Sequence, residues 1–127
     1  MSTALTNGSM GTVKSEYIPE RSSLSSRQYA FAYTVRIENQ GEETAQLRSR
    51  HWIITDGNGG VQEVRGDGVV GAQPVLRPGE NFEYTSWCVL ATPSGMMHGT
   101  YQMVTDRGQS FDADIAPFRL ALPQTLN

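Results

Sequence analysis

The feature that most constrains this chain is a strict two-residue alternation over residues 28–38. Tyr29, Phe31, Tyr33, Val35 and Ile37 fall on one face, and Ala30, Ala32, Thr34, Arg36 and Glu38 on the other. Successive side chains of an extended strand point to opposite faces, so this run of aromatic and β-branched residues specifies a strand with one apolar face. Such a face has to be buried against a second layer, and the remaining sequence offers further strands rather than helices.

Residues 44–55 end in Trp52-Ile53-Ile54-Thr55, an apolar run that suggests burial on both faces. Asp56-Gly57-Asn58-Gly59-Gly60 follows, and Asp-Gly and Asn-Gly both supply the positive φ that tight hairpins need. Shorter runs come at 61–65, 81–89, 98–105, 110–115 and 118–122, with Pro117 expected at a bulge or an edge. With a first strand near 13–18 this makes about seven. No segment carries a helical period. The expected fold is an all-β, immunoglobulin/fibronectin-III-like antiparallel β-sandwich, with a small closed barrel as the alternative.

The chain has 127 residues, which suits one domain. Small polar residues 1–12 read as a flexible tail, 13–123 as the domain and 124–127 as a C-terminal tail. Thirteen acids against ten bases give a net charge of −3, and the bases form no run, which argues against DNA or RNA and against an anionic membrane surface. The single cysteine, Cys88, excludes an internal disulfide and a Cys-based zinc site. With no signal-peptide pattern and no apolar span, the expectation is a cytoplasmic protein.

Gly66-Asp67-Gly68-Val69-Val70-Gly71 spells G-x-G-x-x-G. In a dinucleotide-binding unit this spacing sits between a strand and a helix whose N-terminus receives the pyrophosphate. Here Pro74 and Pro78 follow, and they forbid that helix. Two readings remain. The glycines form a structural connection, or Gly66, Gly68 and Gly71 turn backbone N–H groups toward an anion, with Arg65 and Arg77 adding charge and Asp67 opposing it.

Other chemistry is sparse. His51 and His98 have no ligand-spaced partners, so ordinary imidazoles are the simpler reading. Residues 56–60 open like a calcium loop but lack its later ligands. Cys88 lies in the apolar run Trp87-Cys88-Val89-Leu90 and reads as buried and inert. Asp112 and Asp114 share one strand face and read as solvated. No catalytic set, metal site or cofactor is expected.

Several strings resemble the ApaG (CorD) family: Tyr29-Ala30-Phe31-Ala32-Tyr33-Thr34-Val35, His51-Trp52-Ile53-Ile54-Thr55-Asp56-Gly57-Asn58-Gly59, the stretch 64–74 with its glycine motif, and Leu76-Arg77-Pro78-Gly79-Glu80. Thr92-Pro93-Ser94-Gly95, Gly99-Thr100-Tyr101-Gln102-Met103 and Pro117-Phe118-Arg119-Leu120-Ala121 continue the resemblance, which covers residues 13–123. Trp87 departs from the Gly usual in the family. The resemblance implies a fibronectin-III-like sandwich and a bacterial protein linked to cobalt resistance and magnesium efflux. It also implies a partner-binding role and suggests the glycine motif as a nucleotide or pyrophosphate site. It brings no catalytic residues.

The expected function is therefore a non-enzymatic binding module for another protein. Its alternative is a nucleotide, pyrophosphate or diadenosine polyphosphate binder using Arg65, Gly66, Gly68, Gly71 and Arg77. A homodimer is also compatible with the sequence.

Overall fold

The computed structural model describes residues 2–123. Among them, nine strands run in chain order: β1 Ser2–Thr6, β2 Ser9–Tyr17, β3 Tyr29–Asn39, β4 Ala45–Asp56, β5 Val61–Asp67, β6 Val75–Leu76, β7 Asn81–Leu90, β8 Ser94–Thr105 and β9 Ser110–Ala121. One sheet has the order β1-β2-β3-β7, and the other β5-β4-β8-β9 with β6 also on β4. All pairings are antiparallel. The fold is the expected immunoglobulin/fibronectin-like β-sandwich.

The alternation over 28–38 does what its period requires. Phe31, Tyr33, Val35 and Ile37 are buried between the sheets. Ala30 and Ala32 on the opposite face are buried as well, in a small cluster with Ile18. The centre of the main core is Trp52, 1% exposed. Its ring meets Tyr33, Tyr101 and Phe118 nearly edge-on, with centroids 5.4, 6.0 and 5.9 Å away, a geometry that aromatic quadrupoles favour.

Leu47 and Trp52 both point inward although an odd spacing separates them. The β4–β8 register shifts between Leu47 and Ser49, so Arg48 is an extra residue that reverses the facing of everything after it. A second shift lies where β8 passes from Met97 to Gly99, opposite Phe118 and Ile115 of β9. It lets Ile115 and Phe118 both enter the core, and it places Pro117 at an irregularity on an edge strand, as expected.

The N-terminal expectation needs correcting. Residues 2–12 contain β1 and the start of β2, not a tail. Asn7 and Gly8 have φ of 46° and 83°, the two positive values a two-residue hairpin turn requires. The strand is hard to see in the sequence because its anchors are polar. Ser2 Oγ donates to the Ala116 carbonyl at 3.1 Å, and the Asp114 N–H donates to Thr6 Oγ1 at 3.1 Å, tying β1 to β9. With β1 and the short β6, nine strands replace the expected seven. The tail expected over 124–127 lies outside the described residues.

Three tyrosines and the cysteine occupy or border the core. Tyr84 and Tyr101 share a hydrogen bond between their hydroxyls. Burial pushes the phenols of Tyr33, Tyr84 and Tyr101 above their ordinary range, and it pushes the Cys88 thiol from 9.0 up to about 11. The fold therefore holds these groups neutral while the unfolded chain ionises first. Their stabilisation is complete below the ordinary thiol value and is lost as pH rises through the raised one. Urea unfolding followed from pH 8 to 11 is expected to show stability falling by about 2–3 kcal/mol from the thiol alone, with Cys88→Ala removing the earliest part of that fall. A flat profile would contradict this placement of the four groups.

Candidate functional site

The glycine motif begins inside β5 and ends in a tight turn. Gly66 pairs with Arg50 of β4. The Arg50 side chain bends beneath the loop, where Nη1 donates to the carbonyls of Asp67 at 3.0 Å and Gly68 at 2.8 Å. A Cβ on Gly66 would stand 2.8–2.9 Å from that guanidinium. Gly68 has φ 62°, and its Cβ would clash with the Ala72 carbonyl oxygen. Val70 and Gly71, with φ of 43° and 82°, form the turn itself.

The backbone donors of the loop are largely committed to pairing. Gly68 N–H donates to the Arg48 carbonyl at 2.8 Å. Val69 and Ala72 exchange bonds of 2.8 and 2.9 Å. Each glycine thus has a local cause: a guanidinium against Gly66, a carbonyl and a positive φ at Gly68, and a positive φ at Gly71.

The two flanking arginines separate. Arg65 lies exposed on the outer face of β5, 3.8 Å from Glu63. Arg77 is exposed and 4.0 Å from Glu80, whose Oε1 accepts the Arg77 N–H at 2.7 Å and closes that turn. A shallow groove brings Arg65 and Gly66 together with Arg50, Ser49, Thr100 and Asp112, while Gly68, Gly71 and Arg77 do not line it. The sequence offers no sign of Arg50, because its role depends on the reversed facing downstream of Arg48.

The remaining sequence candidates resolve one by one. His51 Nε2 is 3.6 Å from a Glu63 carboxylate oxygen. His51 and His98 share a second shallow groove with Thr100 and Asp114. Asp56 Oδ1 accepts the N–H groups of Asn58 at 2.8 Å and Gly60 at 2.9 Å, so the calcium-like string is a hairpin closed by its own carboxylate. Among the described residues, no three His, Cys, Asp or Glu side chains are grouped to hold a metal ion. No helix among them is long and apolar enough to cross a membrane.

Sequence reasoning missed one surface. The run Trp87-Cys88-Val89-Leu90 divides by facing: Leu90 is buried, Cys88 half-buried, and Trp87 and Val89 are 50% and 56% exposed. β7 is an edge strand. The Arg21 guanidinium lies 5.1 Å from the Trp87 ring centroid and holds the indole by a cation–π contact. The alternation of β7 was the available signal, hidden by the apolar run.

The glycine geometry sets an order of cost. Gly68→Ala is expected to lower the unfolding free energy by at least about 2 kcal/mol, because a clash adds to the strained φ. Gly71→Ala, whose Cβ meets nothing within 4 Å, is expected to cost only about 1 kcal/mol. Urea denaturation of the two variants checks this, and the reverse order would contradict it.

A family model described as the ApaG domain matches residues 19–105. Protein ApaG of Anaeromyxobacter sp. (strain K) is 63% identical over 127 residues, covering 100% of each chain. Protein ApaG of Rhodopseudomonas palustris (strain TIE-1) is 59% identical over 119 residues, covering 91% of this chain and 92% of the relative. A crystal structure named for an ApaA protein from Bordetella pertussis matches with a TM-score of 0.89 at 58% identity, covering 92% of this chain and 95% of its own. The matched stretch includes both the glycine loop and the β7 edge, and the chain belongs to the ApaG domain family.

Proposed function

We propose that this chain is a non-enzymatic, cytoplasmic binding module that takes a protein partner by strand addition along β7. The observation that carries the reading is the outward pair Trp87 and Val89 on an edge that no other strand among the described residues pairs. The Asn39 N–H donates to the Glu80 carbonyl at 2.9 Å, so even-numbered residues of β7 bond back to β3. Odd-numbered residues, including Trp87 and Val89, turn their backbone groups toward solvent. An incoming strand finds main-chain bonds and an apolar contact in one place. Such a partner would carry the link to cobalt resistance and magnesium efflux that the family resemblance implies.

Photo-crosslinking residues placed at 87 and 89 in cells are expected to give one shared protein adduct, absent from a probe at 98 on the other sheet. Trp87→Ala is expected to weaken the adduct formed from 89. Equal labelling from 98, or no adduct from either β7 position, would overturn the reading.

A second reading, a polyphosphate site, has one observation in its favour: Arg50, Arg65 and Gly66 share a groove with Ser49 and Thr100. Titration with pyrophosphate is expected under this reading to shift the Arg65 and Gly66 amide resonances, which border that groove. Unmoved amides at millimolar pyrophosphate would remove it.

A further inference from the structure

Among the described residues the sandwich has four strand edges, and they are treated differently. β1 and β9 lean on each other through the Ser2 and Thr6 hydroxyls, which closes one flank. β7 is open and apolar at its Trp87–Val89 end. β5 is open and charged: Glu63, Arg65 and Asp67 alternate in sign along its outer face, and all three are exposed.

The backbone of β5 is set for pairing. Gly68 N–H donates to the Arg48 carbonyl, and the β4–β5 register continues through Arg50↔Gly66 and Trp52↔Val64. Even-numbered residues of β5 therefore bond to β4. Val61, Glu63, Arg65 and Asp67 present their N–H and C=O groups to solvent.

We propose that β5 pairs antiparallel with β5 of a second copy of this chain, about a two-fold axis at Val64, so that Glu63 of each copy lies opposite Arg65 of the other. Three symmetric registers keep Glu63 and Arg65 near the axis. Centring on Glu63 sets two glutamates face to face. Centring on Arg65 sets two arginines face to face and Glu63 opposite Asp67. Centring on Val64 puts opposite charges opposite one another on both sides of the axis, and the outward-facing odd residues meet as hydrogen-bonded pairs. Directly opposed like charges destabilise a sheet and opposed unlike charges stabilise it, so the charge order selects this register.

The same alternation that discourages a foreign strand is complementary to its own antiparallel copy. The contact would form a four-charge array of two Glu63 and two Arg65 side chains, beside His51, which already approaches Glu63. A two-fold contact of this kind uses one patch twice and closes at the dimer.

The test is the mass of the full chain by sedimentation as concentration rises. The wild type is expected to move from 14.0 kDa toward twice that mass. Glu63→Arg and Arg65→Glu are each expected to weaken the dimer at least about tenfold, since each sets like charges opposite one another twice. The double variant E63R/R65E is expected to restore it. A mixture of the two single variants is expected to form a heterodimer, because each then supplies the charges the other needs. All these positions are exposed, so the fold is expected to persist in every variant. A wild type that stays at 14.0 kDa at millimolar concentration, or singles not rescued by mixing, would overturn the proposal. Loss of the dimer on Trp87→Ala would move the contact to β7 and would also overturn it. Failure here leaves the β7 reading untouched, because the variants lie on a different edge.

Discussion

The second sheet depends on one extra residue. Arg48 reverses the facing of β4, and two consequences follow together. Trp52 enters the core, where three aromatic rings meet its edges and faces. Arg50, on the same side of the strand as Trp52, turns its charge toward the sandwich flank. A guanidinium there needs acceptors, since an unpaired charge near a core is costly. The carbonyls of Asp67 and Gly68 provide them, and the glycine loop takes the shape that lets them do so. Bulge, central tryptophan, arginine and glycine motif form one dependent series.

Much of this fold was legible in the sequence where a local rule and a tertiary need agreed. The alternation of β3 and the Asp56–Gly60 turn belong to that class. The excluded helix after Gly71 does too, because two prolines forbid it whatever surrounds them. β1 was not legible, because serine and threonine there act through hydroxyl bonds to a strand at the far end of the chain. The Asn7-Gly8 turn that joins β1 to β2 has no apolar strand on either side to mark it as a hairpin. The glycine motif was legible as a loop and not as a clasp around Arg50, because a bulge cannot be counted from one strand alone. Trp87 was obscured by its neighbours, although the period of β7 separates it from Leu90.

The edges give the molecule its polarity. One flank is closed by side-chain bonds between β1 and β9. The other holds β5, charged along its outer face, and β7, apolar at its Trp87–Val89 end, and their ends approach each other where Val61 and Val89 line a common shallow groove. Unpaired edges are usually blunted by charge, and β5 follows that pattern against unrelated strands. β7 does not. Its exposed indole is steadied by Arg21 rather than removed, which costs little in the monomer and leaves an aromatic surface in place.

The chain has two tryptophans, and the fold puts them in opposite surroundings. Trp52 is dry and ringed by two phenols and a phenyl group. Trp87 is half in water beside a guanidinium. Their emission should differ in colour: short-wavelength light from the first, long-wavelength light from the second. Unfolding would shift the first, while occupancy of β7 would shift the second and leave the first unchanged. The protein thus carries two built-in optical channels, one for its integrity and one for its most exposed apolar edge.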